Sequence, residues 1–396
     1  MRRSALLLGA TLLVLGCEEG SPPVAPDATG ELALIGPAGT SDVIVLLDPT
    51  FAPGGHGANK ARAAEVARQF GVTPRHAYGT AVFGFAGSVP EGRLNALRRD
   101  PRVLLVERDG IASIPIPRRA APPWCPDNPD HPGCSHDDNG GSVGQVTPWG
   151  ITRVGGPWDG TGKTAWIIDT GIDLDHPDLS VDRSRSANFV TRGKDSPDDG
   201  NGHGTHVAGT IGAIDNAIDV VGAAAGATVV AVRVLDNSGS GSVSGVVAGV
   251  DYVAANGSAG DVANMSLGAS GHFESLHQAV ENAAAKGIRF SIAAGNAGDD
   301  AGGYEPAHVE HPNVYTTSAI GKDDCLASWS NWGNPPVDYA APGVGVLSTK
   351  RGGGTTTMSG TSMAAPHMGG VLLASIATDG AACNDPDGSP DLIVHF

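Results

Sequence analysis

Beyond Trp149 the chain is punctuated by short apolar-rich runs, Ala165–Ile168, Val229–Val234, Val262–Met265, Ile288–Ala293 and Val314–Ala319. A strand with one wet face alternates apolar and polar residues. Short runs without that alternation belong to strands covered on both faces. Val243–Asn256, Ser275–Lys286 and Met363–Ala377 read as the intervening helices. Strands alternating with helices predict an α/β, three-layer architecture with a mainly parallel central sheet. In such a sheet the functional site lies beyond the carboxyl ends of the strands.

Chemistry-bearing residues fall where that rule places them. Asp169 directly ends the run Ala165–Ile168, where a carboxylate is costly unless it is paired. Asn296 follows Ile292-Ala293-Ala294-Gly295, and its side-chain amide is a usable oxyanion donor. His203 stands between glycines in Asp199-Gly200-Asn201-Gly202-His203-Gly204-Thr205-His206, with little neighbouring bulk to shield it. His206, one turn on, reads as a packed helix residue. Asp173, Asp175 and Asp178 lie in a polar loop and read as surface or turn residues. The zinc-protease pattern His-Glu-x-x-His is absent. Ser362 sits at a helix start in Gly360-Thr361-Ser362-Met363-Ala364-Ala365-Pro366-His367, which makes it either an ordinary N-cap or a nucleophile served by the free N–H groups there.

The order Asp169, His203, Asn296, Ser362 resembles the subtilisin-like serine endopeptidases (the S8-type subtilases), and most closely their proteinase K-like branch. The motifs that carry the resemblance are Ile168-Asp169-Thr170-Gly171, His203 to Thr210, Asn264-Met265-Ser266-Leu267-Gly268, Ala293-Ala294-Gly295-Asn296, Val234 to Gly241, and Gly360 to His367. The resemblance implies a subtilisin-like fold over residues 149–396 and peptide-bond hydrolysis through an Asp169–His203–Ser362 triad, with Asn296 at the oxyanion and no catalytic cofactor. Substrate would lie as an added strand between Ser266, Leu267 and Gly268 on one side and Gly239, Ser240 and Gly241 on the other. A pocket walled by Ser266–Gly268 and by Ala293, Ala294 and Gly295 would take a large apolar side chain. Glu305 stands where related enzymes have a small residue near the pocket base. Its carboxylate would favour Arg or Lys there, or else point to solvent. The resemblance also implies a structural calcium ion held by Asp338 and the carbonyls of Pro312 and Val314. The alternative from another class is a catalytically inactive subtilisin-like binding domain.

The residues before Trp149 divide into four. Residues 1–17 pair a basic start with an apolar core too short to span a bilayer, as in a secretory signal peptide. Val14-Leu15-Gly16-Cys17 resembles the bacterial lipobox, after which Cys17 would carry lipid as a membrane anchor. Residues 18–40 read as a flexible tether. Residues 41–115 have a β-α-β-α-β layout, with one more strand around Arg75–Tyr78, and so predict a small α+β (ferredoxin-like) unit. By resemblance this unit is an inhibitory propeptide, a partner of the enzyme within its own chain, and the protein is a zymogen. Residues 116–148 are a linker rich in Pro, Gly and Asp. Within it Cys125, His131, Cys134 and His136 offer either a zinc site or a small disulfide loop, and an exported chain favours the disulfide. With Cys17 set aside, Cys125–Cys134 and Cys325–Cys383 is the simplest pairing, the other two staying open. A net charge of −17 disfavours nucleic acid as a partner. The expectation is therefore an exported monomeric protease, secreted or held in the cell envelope, acting on proteins and peptides.

Overall fold

The run Val43–Leu47 is buried along its whole length, and its alternation serves two different cores. Val43, Val45 and Leu47 point into one cluster, while Ile44 and Leu46 point into another shared with the large sheet described below. The computed structural model, which describes residues 39–115 and 144–396, places this run in β1 (Thr40–Leu47). There follow α1 (His56–Gln69), β2 (His76–Gly79), β3 (Phe83–Pro90), α2 (Glu91–Arg98) and β4 (Val103–Arg108). The four strands form an antiparallel sheet in the order β2-β3-β1-β4. The additional strand expected near Arg75–Tyr78 is β2.

After a short β5 (Ile111–Ser113), the larger sheet is built from β6 (Thr164–Asp169), β7 (Thr228–Arg233), β9 (Val262–Met265), β10 (Arg289–Ala293), β11 (Val314–Ile320) and β12 (Val337–Pro342), with β8 (Ser240–Ser242) lying outside it. Its spatial order runs β12-β11-β10-β9-β6-β7, all parallel. Both faces are covered. Trp166 and Ile168 of β6 pack with α4 (Val243–Asn256) and α5 (Glu274–Ala284), whereas Ala165 and Ile167 pack with α3 (His203–Gly212) and α6 (Thr361–Leu372). This is the three-layer arrangement expected from the runs. Two particulars differ. α6 ends at Leu372 rather than Ala377, because Ala377–Ala381 (β13) turns back as a strand antiparallel to β14 (Leu392–His395), itself parallel to β12. Nothing in the polar sequence of β13 announces a strand; it is defined by its partner. Asp178 is not a surface residue. It is fully buried, accepts from the Asn216 amide (2.7 Å) and Val220 N–H (3.2 Å), and burial pushes its carboxyl up to about 6. Cys325 and Cys383 form a disulfide. Cys17 and the linker residues Cys125, His131, Cys134 and His136 lie outside the described residues.

The small sheet docks on α4 and α5 through carboxylates as well as apolar surface. Asp251, on α4, accepts from the N–H groups of Gly79, Thr80 and Ala81 at 3.0, 2.7 and 2.7 Å. In the opposite direction, Asp109 accepts from Ser244 N–H (3.0 Å) and Oγ (2.6 Å) in the first turn of α4. Glu107 accepts from Glu274 N–H (2.8 Å) and Ser275 Oγ (2.5 Å) in the first turn of α5. Helix starts carry unpaired N–H groups and the positive end of the dipole, so both acids sit where negative charge is stabilised. Each bond to a charged acceptor contributes about 1.5–3 kcal/mol. Asp251→Ala should therefore raise amide exchange at Gly79–Ala81 by an order of magnitude or more while β6 stays protected; mass-spectrometric hydrogen exchange on full-length protein measures this.

Candidate active site

Asp169 closes β6 with 0% exposure, and every contact around it keeps the charge paired. Its Oδ1 accepts from Thr170 N–H (2.7 Å), and both oxygens face His203 Nδ1, at 2.9 and 3.0 Å. His203 is the first residue of α3, and Gly204 behind it lets that helix start approach the strand end. A Cβ on Gly204 would meet Gly171 O at 2.1 Å and Asp169 Oδ1 at 3.2 Å. Asp199 ties this helix start down. Its Oδ1 accepts from Thr170 Oγ1 (2.9 Å) and Gly202 N–H (2.9 Å), its Oδ2 from Thr205 N–H (3.0 Å) and Oγ1 (2.6 Å), and Thr170 Oγ1 in turn accepts from Gly204 N–H (3.0 Å). Sequence reading passed over Thr170 and Asp199. The available signal was an acid a few residues ahead of a helix start. His206, as expected, is a packed helix residue. Burial lowers it to about 3, so it stays neutral with Nε2 on the Val346 carbonyl at 3.0 Å.

Asn296 follows β10, and its orientation is set by its neighbours. Oδ1 accepts from Thr361 N–H (2.8 Å) and Oγ1 (2.9 Å), which turns Nδ2 outward. Gly295 carries φ +110°, and a Cβ there would lie 2.4 Å from Asn331, whose amide braces the turn by donating to Ala294 O (3.0 Å) and accepting from Ala297 N–H (2.8 Å). Ser362 is not an N-cap. The cap position is Gly360, and Ser362 is the second residue of α6, buried beneath the chain that crosses it. Its N–H lies in the first turn, where no intrahelical acceptor exists.

The groove is filled by the chain itself. β5 pairs antiparallel with β8 (Ser240↔Ser113, Gly241↔Ala112), and Ser113 exchanges both backbone bonds with Gly268, at 2.9 and 3.0 Å. Ile114 N–H donates to Gly239 O (3.0 Å), and Asn296 Nδ2 donates to the Pro115 carbonyl at 2.5 Å. The two flanking segments are those read from the sequence as substrate-binding. Register then explains the serine. With Ser113 opposite Gly268, position 115 faces Ser266, whose carbonyl would take its N–H. Proline has none. Ser362 Oγ points at that carbonyl instead (3.3 Å), and His203 Nε2 is buried without a partner among the described residues.

Beside Pro115 lies a cavity of about 180 Å³, walled by Leu267–Ser270 and Ala293–Ala297 and closed by Tyr304 and Ala307. Its lining is mainly apolar. Ser266 itself faces the serine: its Oγ donates to Ser362 O (2.8 Å) and accepts from Asn264 (2.9 Å). Glu305 does not line the cavity and does not reach solvent. Its carboxyl is fully buried and turned to His272, His277 and His308, which removes both the Arg/Lys-selecting and the solvent-facing expectation. Asp338 accepts from Thr316 N–H (2.8 Å) across β11 and β12, and Pro312 O from the Tyr315 hydroxyl (3.1 Å).

Residues 160–379 match the Subtilase family, over half of the chain. This chain belongs to the subtilase family. The subtilase shares 36% identity over 342 residues with the subtilisin-like serine protease AsES of Sarocladium strictum, covering 80% of this chain and 81% of that one. It shares 40% identity over 301 residues with the alkaline serine exoprotease A of Vibrio alginolyticus, covering 73% of this chain and 51% of that protein, so it spans about half the length of this relative. The crystal structure of a cold-adapted subtilisin-like serine proteinase superposes with a TM-score of 0.56 at 38% identity, covering 62% of this chain and 97% of that one. In subtilisin, removal of an oxyanion-hole asparagine amide lowers turnover about 10²–10³-fold. Asn296→Ala should fall in the same range on a peptide amide with KM little changed, as read by steady-state kinetics.

Proposed function

We propose that this subtilase is an exported serine endopeptidase of broad specificity, made as a self-inhibited zymogen. The observation that carries the reading is the contact of Asn296 Nδ2 with the Pro115 carbonyl, next to a buried Asp169–His203 pair. In turnover Ser362 Oγ attacks the carbonyl lodged at Asn296, while His203 Nε2 takes the hydroxyl proton. Asp169 holds the Nδ1–H tautomer and stabilises the imidazolium. The charge developing on the carbonyl oxygen is met by Asn296 Nδ2 and the Ser362 N–H. The tetrahedral centre collapses when His203 returns the proton to the leaving amine, and water hydrolyses the acyl-enzyme by the same route. Main-chain bonds from Gly239 and Gly268 read no side chains, and the apolar cavity accepts a large apolar residue before the scissile bond.

The zymogen reading rests on occupancy: residues 41–115 dock on two helix starts and lead their own strand through the groove. The scissile bond of maturation is then Pro115–Ile116, and Pro115 makes it a slow one, since Ser362 Oγ is drawn to the Ser266 carbonyl. Export is supported by the basic and apolar leader and by the Cys325–Cys383 disulfide. N-terminal sequencing of the first product should read Ile116 for wild type and find no such cut in Ser362→Ala. Pro115→Leu should mature several-fold faster. A cut of Ser362→Ala at the same bond would remove self-processing.

Subtilases generally bind structural calcium and need no catalytic cofactor. The residues assigned here fit such an ion. Asp338 is exposed, and among the described residues only its Oδ2 is engaged, by Thr316 N–H at 2.8 Å, which leaves the other oxygen open to a cation. Asp338 and the carbonyls of Pro312 and Val314 would hold it, and the ion would join β11 to β12. Calcium added to chelator-treated protein should raise the melting temperature of the wild type and leave Asp338→Asn unmoved; equal shifts in both would place the calcium elsewhere.

A further inference from the structure

Away from the triad, three histidines converge on one buried carboxylate. His272 lies just before α5, His277 is in its first turns, and Glu305 and His308 come from the segment after Tyr304. The Nδ1 atoms of His272, His277 and His308 stand 3.0, 3.2 and 3.2 Å from the same oxygen, Glu305 Oε1. The four donor atoms all lie within 4.8 Å of one another. A carboxylate oxygen has two lone pairs, and of the three contacts only that from His277 has hydrogen-bond geometry. Glu305 Oε2 and His308 Nδ1 are buried with no hydrogen-bond partner among the described residues, and Glu305 is 0% exposed. As a hydrogen-bonding cluster the arrangement is poor. As a ligand set it is good: bonds of about 2.0–2.1 Å in a tetrahedron separate ligand atoms by about 3.3 Å.

We propose that His272, His277, Glu305 and His308 bind a divalent transition-metal ion, zinc foremost. Three imidazoles and one carboxylate suit zinc, whereas calcium prefers oxygen ligands alone. The outer partners agree. His272 Nε2 lies 3.1 Å from Glu274 Oε2 and His277 Nε2 3.6 Å from Glu281 Oε1, so two of the three inward-facing Nδ1 atoms are backed by a carboxylate on the far nitrogen. Glu107, Glu274 and Glu281 add negative charge around Glu305, and that field attracts a dication. The ion would join the segment after Tyr304 to α5. Glu305 pairs with Ala269, and Ala269, Ser270 and Tyr304 wall the apolar cavity. His272 and His277 flank Glu274 and Ser275, where Glu107 docks the small sheet. Zinc here is a clip between the cavity wall and α5, and it does not touch the triad.

The test uses untagged full-length Ser362→Ala, which cannot digest itself, freed of metal with chelator and carrying Cys125→Ser and Cys134→Ser so that the linker contributes no thiolate. Calorimetry with zinc alone should show one tight equivalent, and cobalt(II) should give the intense visible bands of a tetrahedral site. His272→Ala, at a side chain 55% exposed and so harmless to packing, and Glu305→Gln, which keeps the volume, should each weaken zinc binding at least about 10-fold, the lower bound seen even for outer partners. Zinc should raise the melting temperature of the parent and leave both variants unmoved. Absent binding, or a stoichiometry and affinity unchanged in both variants, overturns the site.

Discussion

A carboxylate buried at the end of a central strand is the constraint on which the active-site edge depends. Asp169 is tolerated because three groups face it: the Thr170 N–H, the His203 imidazole, and the start of α3 brought close by Gly204. Asp199 then holds the α3 start, and Thr170 links the two acids through one hydroxyl. Two buried acids are thus satisfied by a single helix N-terminus and the loop before it. Removing one partner of such a pair is more damaging than never having built it, since the other charge stays behind. The imidazole is presented by the machinery that neutralises the strand end.

The same physics recurs where the small sheet meets the large one. Asp109 and Glu107 sit on the first turns of α4 and α5, and Asp251 answers from α4 to the N–H groups of Gly79–Ala81. Apolar burial by Ile44, Leu46 and Tyr78 supplies area without direction. The carboxylates supply the register, which must be accurate because the chain running on from β4 has to enter the groove with Pro115 at Asn296. The proposed self-inhibition would follow from a good fit in which one backbone N–H is missing. The strand is paired at Ser113 and Ile114, the carbonyl is in place, and the serine is turned aside at position 115.

Much of the fold was legible because the large sheet is buried on both faces, which writes β6, β7, β9, β10 and β11 into the chain as apolar-rich runs. β13 and β14 were not legible as a pair, since a polar strand such as Ala377–Ala381 exists only by virtue of its neighbour. Asp178 was misread for a related reason: a polar loop in sequence is a buried acid in space once Asn216 and Val220 close over it. Thr170, Asp199 and Asn331 act by holding other residues, and side chains of common type in common turns carry no mark of that work.

Residue type and order alone determined the chemistry on offer: an acid closing a strand, a histidine between glycines, an amide after a second strand, and a serine at a helix start. These are properties of local backbone, which sequence expresses directly. Only the tertiary structure decided direction and distance. It turned Ser362 Oγ toward Ser266, seated Pro115 at Asn296, and swung Glu305 out of the cavity and onto three histidines. Those outcomes depend on which side chains meet across separations of tens to hundreds of residues, and a linear pattern carries no information about the angle at which they meet.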